Sequence, residues 1–262
     1  MKIDTPPKTF LAVGRCIYCS TEQAPLTKEH IVPLGLGGNL TLPSSSCRAC
    51  AKIITRFEQV CLRTILGPLR IRLNFPTRHR KQRPSALPHP IINQNGVLET
   101  VMVPATHIPQ AAVVMRLDPP TILTGKPPET NFHRGEIWVS YEPADIGKIQ
   151  NAYRAKHFIL GKFDVTSFTR MLAKIAYAHA VSMMGYGSFS PLVLDVIFAR
   201  TNIPSHWVGG DLKIPSAEGV IHQLKLNDDY RVNGRRYIVA DIRLFALLGA
   251  PVYRVVVGEP QS

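Results

Sequence analysis

The chain has 262 residues, 45% of them hydrophobic, which is enough for a sizeable core and more than one small domain needs. Lys and Arg number 31 against 18 Asp and Glu, a formal net charge of +13 that favours a polyanionic partner. No stretch approaches the roughly 20 uninterrupted apolar residues of a membrane span, and Met1-Lys2-Ile3-Asp4-Thr5-Pro6-Pro7 lacks the apolar run of an export signal, so no membrane role and a cytoplasmic or nucleoid location are expected.

Four of the five cysteines form two Cys-x2-Cys pairs, Cys16/Cys19 and Cys47/Cys50. In a chain that is not exported, two such pairs suit one tetrahedral Zn2+ better than disulfides, because each short loop presents two thiolates to one ion. The surroundings lack the strand-helix pattern of a thioredoxin-like redox pair. With four protein ligands the coordination sphere is closed, so this zinc is read as structural and any hydrolysis must occur elsewhere. Cys61 is left over, on the apolar face of the helix that the second pair opens, and is read as a small core residue.

Between the pairs, Leu26-Thr27-Lys28-Glu29-His30-Ile31-Val32-Pro33 reads as a short strand stopped by proline. Gly35, Gly37 and Gly38 then make a turn before Asn39, and Leu40-Thr41-Leu42 resumes the strand pattern. Phosphodiester hydrolysis needs a base for water and a cation for the developing charge, parts that a Glu-His pair can supply. Successive strand residues point to opposite faces, so convergence of the two on one phosphate needs a bulge or a twisted strand end.

Cys-x2-Cys, Leu-Thr-x-Glu-His-Ile-Val-Pro, Gly-Gly and a helix-opening Cys-x2-Cys together resemble the HNH endonuclease family with its ββα-metal fold, over about residues 14–60. The resemblance implies that His30 is the general base and Glu29 a ligand of a catalytic Mg2+ or Mn2+, in the place usually held by Asp. Two departures stand out. Ala51 follows the last cysteine where the family commonly has Asn or His. On a helix starting near Cys47, residues 51, 55 and 58 share a face, and Glu58 is preferred to Thr55 as the substitute ligand. Leu42 occupies the usual place of the middle Asn; Asn39 is the candidate to orient His30, though Asn after two glycines is also an ordinary turn residue.

Ile53, Ile54, Phe57, Val60, Cys61 and Ile65 recur at helical spacing up to Gly67-Pro68, where the helix is expected to stop. Between Gln59 and Leu98 no residue is acidic, while Arg63, Arg70, Arg72, Arg78, Arg80, Lys81 and Arg83 fall there; with Arg48 they are the candidate phosphate contacts. Strands follow over 91–103, with an Asn95-Gly96 hairpin turn, and over 111–117, then a loop over 118–135. Strands at 136–141 and 157–163 flank a short helix near 144–153. A long helix over 166–184 turns Phe168, Leu172, Ile175, Ala176 and Met183 toward the core and carries His179, read as packed rather than ligating. A helix near 191–199 and an antiparallel meander over 220–226, 237–246 and 252–257, turned at Asn233-Gly234, complete the chain.

The expectation is an α+β protein: an HNH-like module at 10–66, a basic connecting segment at 67–90, and a larger mixed α+β domain with antiparallel strands at 91–262. The leading function is divalent-metal-dependent cleavage of double-stranded DNA, with structural Zn2+. A zinc-stapled binder whose nuclease site has decayed is the alternative, and a larger domain that senses a ligand or partner is a third possibility.

Overall fold

In the computed structural model the described residues are 7–77, 80–130, 135–141, 143–159, 162–213 and 215–261. The fold is mixed α+β with largely antiparallel sheets. At the N-terminus, β2 (Leu26–His30) pairs antiparallel with β3 (Leu40–Cys47), and β1 (Lys8–Thr9) lies parallel on the other side of β3. The register of β2 and β3 shifts between Thr27 and Glu29, opposite Ser44, whose φ of 46° is left-handed. This is the expected irregularity beside the Glu-His pair. Helix α1 (Arg48–Arg63) starts at once from β3, with Cys47 as its N-cap.

Cys50, Ile54, Phe57 and Cys61 form the buried stripe of α1. Ile53 was expected on it but is 37% exposed, because it sits about 100° around the helix from Ile54. α1 ends at Arg63, just short of Gly67-Pro68, and the chain turns and re-enters a helix, α2 (Gly67–Arg72), with Pro in the first turn, where its missing N–H costs no bond. A three-stranded sheet follows, β4 (Ala86–Asn93) between β5 (Leu98–Pro104) and β8 (Ala155–Phe158), with the Asn95-Gly96 turn where expected. β6 (Ala111–Leu117) and β7 (Gly135–Tyr141) pair separately, linked through the one-turn helix α3 (Thr121–Thr124); α4 (Pro143–Tyr153) precedes β8.

The organising element is α5 (Val165–Met184), N-capped by Asp164, whose carboxylate accepts the Ser167 amide at 2.7 Å. From Ser167 to Val181 every residue but Arg170 is buried. A helix apolar on all sides must be covered on all sides. On one flank it packs against α1, and on another against the sheet of β9 (Phe189–Pro191), β10 (Val208–Gly210), β11 (His222–Val232), β12 (Arg235–Leu244) and β13 (Tyr253–Pro260). The remaining helix, α6 (Leu194–Ile197), is one turn, shorter than expected. Met183, expected inside, is 56% exposed because α5 runs past its cover after Val181. One hydrophobic cluster runs from Ile17, Ile31 and Phe57 through α5 to Ile242 and Val255, so the HNH-like segment and the C-terminal sheet share a core.

Candidate metal and nuclease site

The four pair cysteines come together. Their sulfurs all lie within 4.8 Å of one another, three of the residues buried and Cys19 exposed. The Cys19 and Cys47 sulfurs are 3.7 Å apart, close to the edge of about 3.8 Å that tetrahedral Zn–S bonds of roughly 2.3 Å require. The Cys50 amide points at the Cys47 sulfur at 3.5 Å. Burial opposes ionisation of Cys47, but this amide and the neighbouring thiols override it and bring its pKa down to about 7. Donor type, number and spacing therefore fit a metal ion. Cys61 is apart from them, a buried thiol pushed up to about 12 by desolvation first and by acidic neighbours second.

Beside the cage, the end of β2 sends Glu29 and His30 in different directions. Glu29 is buried, and its carboxylate pairs with the Lys174 ammonium at 2.6 Å. Glu58, two turns and more along α1, reaches the same ammonium at 2.9 Å. Glu29 and Glu58 thus converge, as ligands of one ion would, yet the cation between them is a side chain from α5. Lys174 is fully buried; it also donates to the His30 carbonyl and, at 3.3 Å, to the Ile31 carbonyl. Burial alone would lower its pKa, but Glu29 and then Glu58 more than offset that and raise it, so the ammonium stays charged. Tyr18 completes the surroundings, its phenol pushed far up by burial and by the two carboxylates. As they stand, these carboxylates do not fit an open divalent site, because the gap between them is filled.

His30 stays half-buried at the end of the strand, with its Nδ1 buried. Burial first, then Lys28 and Lys174, lower its pKa below the ordinary histidine value, against an opposing effect of Glu29. It is therefore a neutral imidazole near pH 7, the form a general base requires. Gly38 approaches the chain so closely that a Cβ there would stand 1.9 Å from the Val32 carbonyl oxygen, which explains the second glycine of the turn. Asn39 follows, its carbonyl accepting the Lys8 amide at 3.2 Å, while the Ile31 amide bonds Leu40 at 3.0 Å and holds the turn beside β2.

The basic residues divide. Arg48, Arg63 and Lys81 are exposed. Arg70 instead donates from Nε to the Gly35 carbonyl at 3.0 Å and from Nη1 to Leu62 at 3.4 Å, and Arg83 holds Asn74 and the Phe75 carbonyl. Arg72 is half-buried. Arg80 lies in a 3-10 turn, Arg80–Gln82, and Arg78 falls outside the described residues.

Lys174, Tyr177 and His222 were not singled out from sequence. Tyr177 donates to the Ile17 carbonyl at 2.6 Å beside the first cysteine pair, and His222 Nε2 donates to Leu36 at 2.7 Å. A signal for Lys174 existed: one lysine within Met171-Leu172-Ala173-Lys174-Ile175-Ala176 is a charge on an otherwise apolar helix, and such a charge demands a buried partner.

Residues 16–60 match the family model of the HNH endonucleases. No curated protein and no solved structure matches the chain.

Proposed function

We propose that this chain is an HNH-type endonuclease hydrolysing phosphodiester bonds in double-stranded DNA, with His30 as the base. The observation that carries the reading is a neutral, half-buried His30 at the end of β2, next to a four-cysteine cage, inside the segment that matches the HNH family. His30 takes the proton of the attacking water at a ring nitrogen, and Asn39 and the glycine turn orient the imidazole. The zinc held by Cys16, Cys19, Cys47 and Cys50 fixes β2, β3 and the start of α1 relative to one another. Glu29 and Glu58 hold Lys174 and set the position of the strand end; a catalytic Mg2+ or Mn2+ would need one of them released from that ammonium, and would then supply charge neutralisation at the phosphate. Arg48, Arg63 and Lys81, on the exposed surface, contact phosphates and make binding salt-sensitive.

Ala51 and the filled gap between Glu29 and Glu58 favour a second reading, a zinc-stapled binder that has lost hydrolysis. Supercoiled plasmid incubated with the full chain and Mg2+ or Mn2+ separates the two. Nicking or linearisation abolished by EDTA and by His30→Ala supports the enzyme; intact plasmid with salt-sensitive band shifts supports the binder.

A further inference from the structure

A cavity of about 660 Å3 opens between the end of α1, α2 and the strands β4, β6 and β7. None of the cage cysteines, Glu29 or His30 lines it. Its volume falls in the range of roughly 300–1,000 Å3 typical of small-molecule sites. The wall is built from Leu62, Ile65, Ile71, Phe75, Val113 and Val139, and its charged residues are Arg63, Arg70, Arg83 and Lys162; among the described residues no lining residue is acidic. Such a wall repels cations and leaves several positive charges for an anion to neutralise. His89, also in the wall, has a buried Nε2 without a partner among the described residues, and burial keeps its imidazole neutral. A buried nitrogen of this kind is costly unless something bonds it.

The cavity also touches the proposed nuclease site indirectly. Arg70, part of its wall, is the residue whose Nε bonds Gly35, five positions after His30. Its Nη2 takes part in neither of the bonds to Gly35 and Leu62, and stands about where a Gly35 Cβ would need room, at 3.2 Å.

We propose that this cavity binds a small organic anion with a largely apolar body, and that Arg70 transmits its occupancy to the turn following His30. The apolar wall takes the body, Arg83 and Lys162 the carboxylate or phosphate end, and His89 a further polar atom, while Arg63 stands at the rim toward the outer surface. The cations expected to grip a DNA backbone thus divide between an outer surface and a concavity too small for a duplex. The binding half stands on the cavity alone; the transmission half rests on the nuclease reading.

The test uses the zinc-loaded full chain and 1-anilinonaphthalene-8-sulfonate, an apolar aromatic anion, followed by fluorescence. One saturable site per chain is expected. Ala111→Trp, which fills the cavity, weakens binding at least tenfold; Lys162→Glu weakens it several-fold and Lys162→Arg restores it, all with unchanged thermal unfolding. Competition by dodecanoate or by dodecyl phosphate distinguishes a carboxylate from a phosphate ligand. Absent binding, binding indifferent to Ala111→Trp, or displacement by plasmid duplex overturns the site. Hydrogen exchange then reads the link: the probe slows exchange of the amides at 36–38, and Arg70→Lys removes that effect while the probe still binds. Unchanged exchange in a probe-bound chain overturns the transmission and leaves the site standing, whether or not the chain cuts DNA.

Discussion

Lys174 and Glu29, one from α5 and the other from β2, meet at 2.6 Å in the interior, and Glu58 closes on the same ammonium at 2.9 Å. A buried and a largely buried carboxylate are tolerable side by side only because a cation stands between them. Lys174→Met should therefore destabilise the chain by about 3–5 kcal/mol in urea unfolding, the range for breaking a buried pair from one side. Adding Glu29→Gln and Glu58→Gln to that variant should recover part of the loss. No recovery would mean that the lysine stem, not its charge, is what the core needs.

The pH dependence of cleavage should show where His30 titrates. Its folded pKa lies below the ordinary value of about 6.5, so the base is already neutral above that pH and the rate should be flat there. The acidic limb should inflect below 6.5, and His30→Ala should remove activity at every pH. An inflection above 7 would contradict the burial argument.

His222 ties Leu36, in the turn after Pro33, to the C-terminal sheet: Nε2 donates to the Leu36 carbonyl at 2.7 Å and Nδ1 accepts the Phe245 amide at 3.3 Å. Only the neutral ring can do both. Burial brings its pKa down to about 4 against an opposing effect of the Leu36 bond. A depressed folded pKa means that the unfolded chain takes up the proton first, so stability is complete above about 6.5 and is lost as pH falls toward 4. By pH 5 this one group should cost about 2 kcal/mol. His179, brought to about 4 by burial first and Lys8 second, adds to the same trend. Denaturant midpoints at pH 7.5 and 5 should differ less in His222→Gln than in the parent chain.

Metal analysis should return one zinc per chain. Structural zinc sites bind with roughly 10–16 kcal/mol, comparable to the ~5–15 kcal/mol that holds a whole domain together. Stripping the ion, or Cys47→Ser, should therefore unfold the N-terminal segment, and Mg2+ should not restore it. A metal-free chain with an unchanged melting profile would remove zinc from the scaffold.

Much of this arrangement was legible in the residues. Cysteine spacing foretold the cage, the Asn95-Gly96 and Asn233-Gly234 turns lie where hairpins occur, and the strand at 111–117 has the expected bounds. The meeting of Glu29 and Glu58 was also readable from helical geometry. The ion between them was not, since it arrives from a helix whose partner no local pattern specifies. Likewise the basic run hid two roles, because charge along a chain does not say which guanidinium turns inward: Arg70 bonds a carbonyl 35 residues away, while Arg63 is exposed.

The 144-position separation of His30 and Lys174 also carries a message about time. A chain made from its N-terminus presents the zinc segment well before α5 exists. Until Lys174 has been synthesised and docked, Glu29 and Glu58 have no ammonium, and the strand end bearing His30 has lost the donor to its carbonyl. A copy that stops short of α5 therefore carries the Glu29-His30 strand end without its buried cation, and a later part of the chain completes an earlier one.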